Sequence, residues 1–328
     1  MGVVRQLRQI SADDAGVDVA FRADVHAGLA QPQKAIPARW FYDAIGSALF
    51  EDITALPEYY PTRSETDLLT RHAAAIAAAI GPGRAVVELG SGSSTKTPLL
   101  LAAIAPAAYV PVDISGDFLR DSALALSARF PGLAVYPVEA DFTQRVTMPD
   151  EIADLPKLGF FPGSTIGNMV ARTAVDLLRN WRGALGDGSL MLIGIDRIKD
   201  VATLELAYDD PAGVTAAFNL NLLERINRDL DGDIPVDNFT HRAIWNDVHA
   251  RVEMHLVAAC DMDFTVDGHA YHMAAGETIH SENSHKYGPR DASVLLRAGG
   301  WTPLATWDDA DPAFALILAE ATAFRAAP

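Results

Sequence analysis

Short apolar runs separated by helix-length stretches constrain this chain more than any other feature. They fall at residues 85–90, 108–113, 158–161 and 190–196, and a weaker one at 133–138 precedes Asp141. Runs of this kind, without polar alternation, suit strands buried on both faces of a parallel sheet covered by helices. The intervening stretches carry helical spacing. Leu119, Ala123, Leu126 and Phe130 share one face, as do Ala174, Leu178, Trp181 and Leu185 before Gly186-Asp187-Gly188 ends the pattern. Ahead of the first run, Thr62 and Glu65 have capping-box spacing, and Leu68, His72, Ile76 and Ile80 continue one helix. The alternation over 62–196 predicts a doubly wound α/β sheet with right-handed crossovers.

The rhythm breaks over 199–286. Val214, Phe218, Leu222, Ile226 and Leu230 lie on one helix face, and an Asp231-Gly232-Asp233 turn follows. Phe239, His241, Ala243 and Trp245 then alternate, as do Val252, Met254, Leu256 and Ala258, which predicts an antiparallel hairpin. This block reads as an inserted α+β domain. A helix near 291–298 and two strands near 302–307 and 314–318 return the chain to the first domain.

The net charge of −17 argues against binding a phosphate backbone, so no nucleic-acid partner is expected. Cys260 is the single cysteine, which excludes an intramolecular disulfide and suits a cytoplasmic setting; a buried or idle thiol is expected. Residues 1–20 carry Arg5, Arg8, Asp13 and Asp14 and do not read as a signal peptide. The apolar run at 73–80 is far shorter than the ~18 residues of a membrane helix. A monomer acting on a small molecule, away from membranes, is expected.

The segment Glu88-Leu89-Gly90-Ser91-Gly92-Ser93-Ser94-Thr95-Lys96 leaves the first strand and opens a helix. Its glycines let backbone approach a ligand, and a helix start presents free N–H groups. Thr95 stands where a dinucleotide fingerprint needs Gly or Ala, which argues against an NAD-dependent oxidoreductase. Asp113 ends the second strand, where an acid accepts from both ribose hydroxyls. Asp141-Phe142 ends the third, where an acid and a ring meet an adenine. With a closing antiparallel hairpin, these features predict the seven-strand, Rossmann-like class I fold of S-adenosylmethionine (SAM)-dependent methyltransferases. Residues 63–198 and 287–328 are assigned to SAM binding, and 8–62 and 199–286 to the substrate.

Other chemistries fit less well. Gly90-Ser91-Gly92 lacks the Gly-x-Ser-x-Gly elbow of a hydrolase. His280-x-Glu282-x-x-His285 lies on a predicted strand, where its side chains do not share a face, and His269 and His272 fare no better, so no metal is expected.

The blocks WFYDAIGSALFEDITALPEYYPTR, VVELGSGSSTKT, FFPGSTIGN, AYDDPAGVTAAFNLNLL and GETIHSENSHKY resemble the histidine Nα-methyltransferases of ergothioneine biosynthesis over roughly residues 21–320. The resemblance implies trimethylation of the α-amino group of L-histidine to hercynine, with SAM leaving as S-adenosylhomocysteine. It places Tyr42, Gly90, Lys96, Asp113, Asp141 and Phe142 on the cofactor. It places Tyr59, Gly163, Asn168, Tyr208, Met254, Glu282 and Ser284 on the amino acid.

Their chemistry suits those roles. Asn168 and Tyr208 are uncharged donors for a carboxylate, and Glu282 and Ser284 match the two ring nitrogens of an imidazole. No His or Lys base stands out, so Tyr42, Asn168 and the backbone at Gly163 are expected to act by proximity, orientation and desolvation. Plainer roles stay open: Tyr59 and Met254 as core, Asn168 as a helix cap, Glu282 on a solvated face. Alternatives for the whole chain are an N-methyltransferase of another aromatic amino acid, such as a tryptophan derivative, and a catalytically silent SAM-binding module.

Overall fold

The computed structural model describes residues 18–92, 96–114, 116–310 and 313–322. In chain order its helices and strands are α1 (Val19–Leu29), β1 (Lys34–Ala35), α2 (Ala44–Ala55), α3 (Tyr60–Arg71), α4 (Ala73–Ile80), β2 (Ala85–Leu89), α5 (Thr97–Ile104), β3 (Ala108–Asp113), α6 (Gly116–Arg129), β4 (Ala134–Val135), β5 (Val138–Glu139), β6 (Lys157–Phe161), α7 (Ala171–Leu185) and β7 (Leu190–Asp196). There follow α8 (Val201–Leu206), α9 (Val214–Asp229), β8 (Phe239–Asn246), β9 (Arg251–Ala258), β10 (Met262–Val266), β11 (His269–Met273), β12 (Thr278–His285), α10 (Pro289–Ala298), β13 (Trp301–Ala310) and β14 (Ala313–Ala321). Two compact units result. Over the described residues, one spans 61–198 and 286–322, the other 18–60 and 199–285.

The first unit is built on one sheet in the order β13-β14-β7-β6-β2-β3-β4, with β5 continuing beside β3. Strands β2 to β7 run parallel, and β14 lies antiparallel to β7 and β13. Every residue of β2 and β7 is buried, as expected of strands covered on both faces by helices. From β2 the order runs outward in both directions, so the crevice at its carboxyl end is the topological switch point where such sheets bind ligands.

Three local expectations fail here. The proposed third strand is two short pieces, because Pro111 of β3, which faces it in alternation with Tyr109 and Asp113, has no N–H to continue the ladder. The helix through Leu68 and Ile80 is interrupted at His72, whose φ of −106° and ψ of 10° leave the helical region. The Thr62–Glu65 capping box does not form: α3 already begins at Tyr60, and Glu65 turns inward to other partners.

The second unit holds a four-stranded sheet in the order β1-β12-β9-β8 and the separate hairpin β10–β11. The β8–β9 hairpin pairs as its alternation implies, with Ala243 opposite Met254 and His241 opposite Leu256. Its core gathers Phe21, Phe41, Phe218, Leu222, Met254 and Ile279 from α1, the 3₁₀ turn Ala38–Phe41, α9 and the sheet. Periodicity did not reveal α1, α2 or the β10–β11 hairpin. Among the described residues, no helix is long and apolar enough to cross a membrane. Cys260 is exposed, not buried.

Candidate active site

In the first unit the cofactor residues of the sequence reading collect at the carboxyl edge of the parallel sheet. β2 runs straight into Gly90, whose N–H donates to the Val112 carbonyl at 2.9 Å, pinning the loop to β3. Gly90 has φ +65°, and a Cβ there would sit 3.2 Å from the Phe142 ring, so glycine keeps this surface open. Gly92 N–H donates to Asp113 Oδ2 at 3.0 Å. The acid at the end of β3 is thereby fixed to the loop leaving β2. Ser93, Ser94 and Thr95, the rest of that loop, lie outside the described residues.

The third strand end is equally tied down. Asp141 Oδ1 accepts from the Thr143 N–H at 2.9 Å and its hydroxyl at 2.5 Å. The Phe142 carbonyl accepts from Trp181 Nε1 at 2.9 Å, and the Phe142 ring meets Phe161 edge-on at 5.8 Å. Gly163 follows β6 with φ +78°, and Ser164 after it has φ +56°, uncommon for a residue with a side chain. The Ser164 hydroxyl accepts from the Asp196 N–H at 2.9 Å, holding this turn against the end of β7. Asn168 closes a 3₁₀ turn, whereas the N-cap of α7 is Val170 with no side-chain bond, so Asn168 does not cap that helix.

Glu88 lies inside the same motif. It is buried and accepts from Thr97 Oγ1 at 2.7 Å and from Tyr109 OH at 2.5 Å. Burial pushes its carboxyl up to about 7, with the Tyr109 and Thr97 hydrogen bonds pulling the other way.

The second unit assembles the remaining residues. Asp43 caps α2, accepting from Gly46 N–H at 2.7 Å, Asn221 Nδ2 at 2.9 Å and Arg228 at 2.7 Å. Burial opposes ionisation there, but the bonds from Gly46, Arg228 and Asn221 outweigh it and hold the carboxyl below its usual range. This knot fixes the adjacent Tyr42, which starts a run of edge-on aromatic contacts: Tyr42 with Phe50 at 5.6 Å, Phe50 with Tyr59 at 6.2 Å, Tyr59 with Tyr208 at 6.1 Å. Tyr59 is buried in that run, and Tyr60 beside it accepts from Lys199 Nζ at 2.6 Å.

Tyr208 is held from behind by His241, whose Nε2 donates to the Tyr208 carbonyl at 2.8 Å while Nδ1 accepts from Asn219 Nδ2 at 2.8 Å. Burial lowers the His241 pKa, so a neutral ring with its proton on Nε2 fits this arrangement. The Tyr208 hydroxyl lies 2.7 Å from Ser284 Oγ. On β12, Glu282 is opposite Met254 and Ser284 opposite Val252, and in an antiparallel pair opposite residues share a face. Tyr208, Met254, Glu282 and Ser284 therefore gather on the side of the sheet that carries the buried Leu256 and Ile279.

A second cluster, missed from sequence, lies on the other side. Glu253, His255 and His280 offer ligand-type atoms within 4.8 Å of one another, and the two rings stack at 4.7 Å. Glu253 accepts from Arg251 at 2.7 Å, from Asn246 at 2.8 Å and from His255 Nε2 at 3.1 Å. The cross-strand pairing of His280 with His255 brings these rings together. Spacing along β12 alone carries no such signal.

The gathered strand ends suit a nucleoside-bearing cofactor: an open glycine turn, two anchored acids, a buttressed ring, and Lys96 at the mouth of α5. A family model described as histidine-specific methyltransferase, SAM-dependent, matches residues 21–321. The histidine N-alpha-methyltransferase of Mycolicibacterium smegmatis is 40% identical, the match covering 94% of this chain and 97% of that protein. Ergothioneine biosynthesis protein 1 of Neurospora crassa is 34% identical over 58% of this chain and 22% of its own length. The 4-dimethylallyltryptophan N-methyltransferase of Epichloe festucae var. lolii is 26% identical over 93% of this chain and 95% of its own. The strand order, the strand-end constellation and a family match running through both units lead to one assignment: the chain belongs to the histidine-specific, SAM-dependent methyltransferase family.

Proposed function

We propose that this protein transfers three methyl groups from SAM to the α-amine of L-histidine, giving hercynine for ergothioneine biosynthesis. The observation that carries the substrate assignment is the polar pair Glu282 and Ser284, set on an otherwise apolar face, with the Tyr208 hydroxyl bonded to Ser284. A neutral imidazole has one N–H and one bare nitrogen. Glu282 accepts the N–H. The Ser284 hydroxyl, bonded to that of Tyr208, serves the bare nitrogen. Met254 and Tyr59 supply the apolar walls.

Most of the cofactor residues lie in the first unit and most of the amino-acid residues in the second, with Tyr42, Gly163 and Asn168 the exceptions. Asp113 takes the ribose hydroxyls, Asp141 and Phe142 the adenine, and Lys96 and Tyr42 the amino-acid end of the cofactor, with Gly90 leaving room for it. When bound, SAM supplies an electrophilic methyl on sulfur. Asn168 donates to the substrate carboxylate, and with Tyr42 and the Gly163 backbone it orients the amine. The amine reacts in its neutral form, and its proton passes to water after each of the first two transfers. The third transfer leaves a fixed cation, which carbonyl and aromatic groups tolerate. No metal enters this scheme.

Mass spectrometry of L-histidine incubated with the protein and SAM tests the reading. Three successive methyl additions on the α-nitrogen are expected. Unchanged histidine, with S-adenosylhomocysteine still bound, overturns the substrate assignment, and methylation of tryptophan or a derivative in its place supports the other aromatic class.

A further inference from the structure

Glu65 lies fully buried within α3, and one of its oxygens serves two strand-end loops at once. Oε2 accepts from Lys96 Nζ at 2.5 Å and from the Gly163 N–H at 2.7 Å. Oε1 has no hydrogen-bond partner among the described residues. Burying a carboxylate in this half-satisfied state is costly, and apolar replacements of buried ion pairs are often neutral or stabilising. Stability therefore does not account for an acid at this position.

Two further features show that the fold makes room for it. Gly194 interrupts the large apolar residues of β7, and a Cβ there would overlap Glu65 Oε1. Glycine inside a buried strand marks a close approach by another group. Lys96 stands at the N-cap of α5, where the helix dipole disfavours a cation, and its side chain is only 13% exposed. Glu65 offsets that penalty and holds the ammonium between the loop after β2 and the turn after β6.

We propose that Glu65 is a positioning residue for methyl transfer, setting Lys96 for the cofactor and locking the Gly163 turn beside it through a single shared carboxylate oxygen. The inference rests on the reading of Lys96 as a cofactor contact. Glu65 acts through Lys96 and Gly163 and touches neither substrate nor cofactor.

Calorimetry of S-adenosylhomocysteine binding tests this in a double-mutant cycle. Glu65→Gln keeps the shape and removes the charge, so the dissociation constant is expected to rise at least about tenfold, the scale of a lost charge-assisted bond. In a Lys96→Met background the same change is expected to shift it less than about threefold, because the cofactor contact that Glu65 sets is gone. A purely structural role would lower the melting temperature without this dependence on Lys96. Unchanged affinity in folded Glu65→Gln, or equal losses in both backgrounds, overturns the proposal. Gly194→Ala, which displaces the carboxylate and keeps both charges, gives an independent measurement with the same expected direction; unchanged affinity there also counts against it. Failure of the unmutated protein to bind S-adenosylhomocysteine would instead sink the cofactor reading on which the proposal rests.

Discussion

Glu282 lies directly across from Met254 in the antiparallel pair of β12 with β9, although His280, two residues earlier, lies across from His255. Strict alternation would put Glu282 opposite Glu253, two carboxylates side by side on the face of His280. A bulge at Ser281 absorbs one residue and turns Glu282 and Ser284 toward the apolar face. The Ser281 hydroxyl fastens it by donating to the Met254 carbonyl at 3.0 Å, and His280 Nε2 donates to the Glu282 carbonyl at 3.0 Å.

The register separates neighbouring residues by face, which steady-state kinetics can read. Glu282→Ala is expected to raise the KM for histidine about 10- to 100-fold, since it leaves an imidazole N–H unpaired. Asn283→Ala, opposite Glu253 on the other face, is expected to change it less than about threefold. Equal effects at both positions would refute the bulged register.

The Tyr208–Ser284 bond makes those two hydroxyls one unit. Tyr208→Phe and Ser284→Ala are each expected to weaken histidine binding by about 1 kcal/mol or more, and the double variant by clearly less than their sum. Additive losses in calorimetric titrations would show that the two act separately.

Glu88 predicts a pH dependence of stability. Its folded carboxyl is raised to about 7 from an ordinary value of 4.5. A group raised in this way contributes stability that is full below the ordinary value and is lost as the pH climbs through the folded one. Glu88→Gln carries no charge to bury at any pH. Its melting temperature relative to wild type is therefore expected to improve from pH 5 to pH 8, and a constant difference in thermal scans would contradict the raised value.

Asp43 ties α2 to α9 and places Tyr42. Asp43→Ala is expected to cost about 2 kcal/mol, as a lost cap with unpaired buried donors. Chemical denaturation checks the magnitude, and a change under about 0.5 kcal/mol would mean that the cap and its partners are incidental.

Local patterns made much of the first unit legible. Apolar runs marked β2, β3, β6 and β7, and the acids and glycines that follow them stand at strand ends because strand length alone decides where a strand stops. The β8–β9 hairpin was readable for the same reason, since its alternation and its pairing agree. Glu65 was misread: its spacing from Thr62 is a local signal, while its real partners, Lys96 and Gly163, are brought to it only by the packing of α3 on the sheet. The face of Glu282 was undetermined in the sequence, because a single extra residue reverses every side chain beyond it and only pairing with β9 reveals the bulge. The sequence by itself determined the strongly periodic elements and the chemical groups available, through short-range periodicity and turn chemistry. The tertiary structure decided which of those groups meet, because burial and cross-strand register depend on residues far apart in the chain.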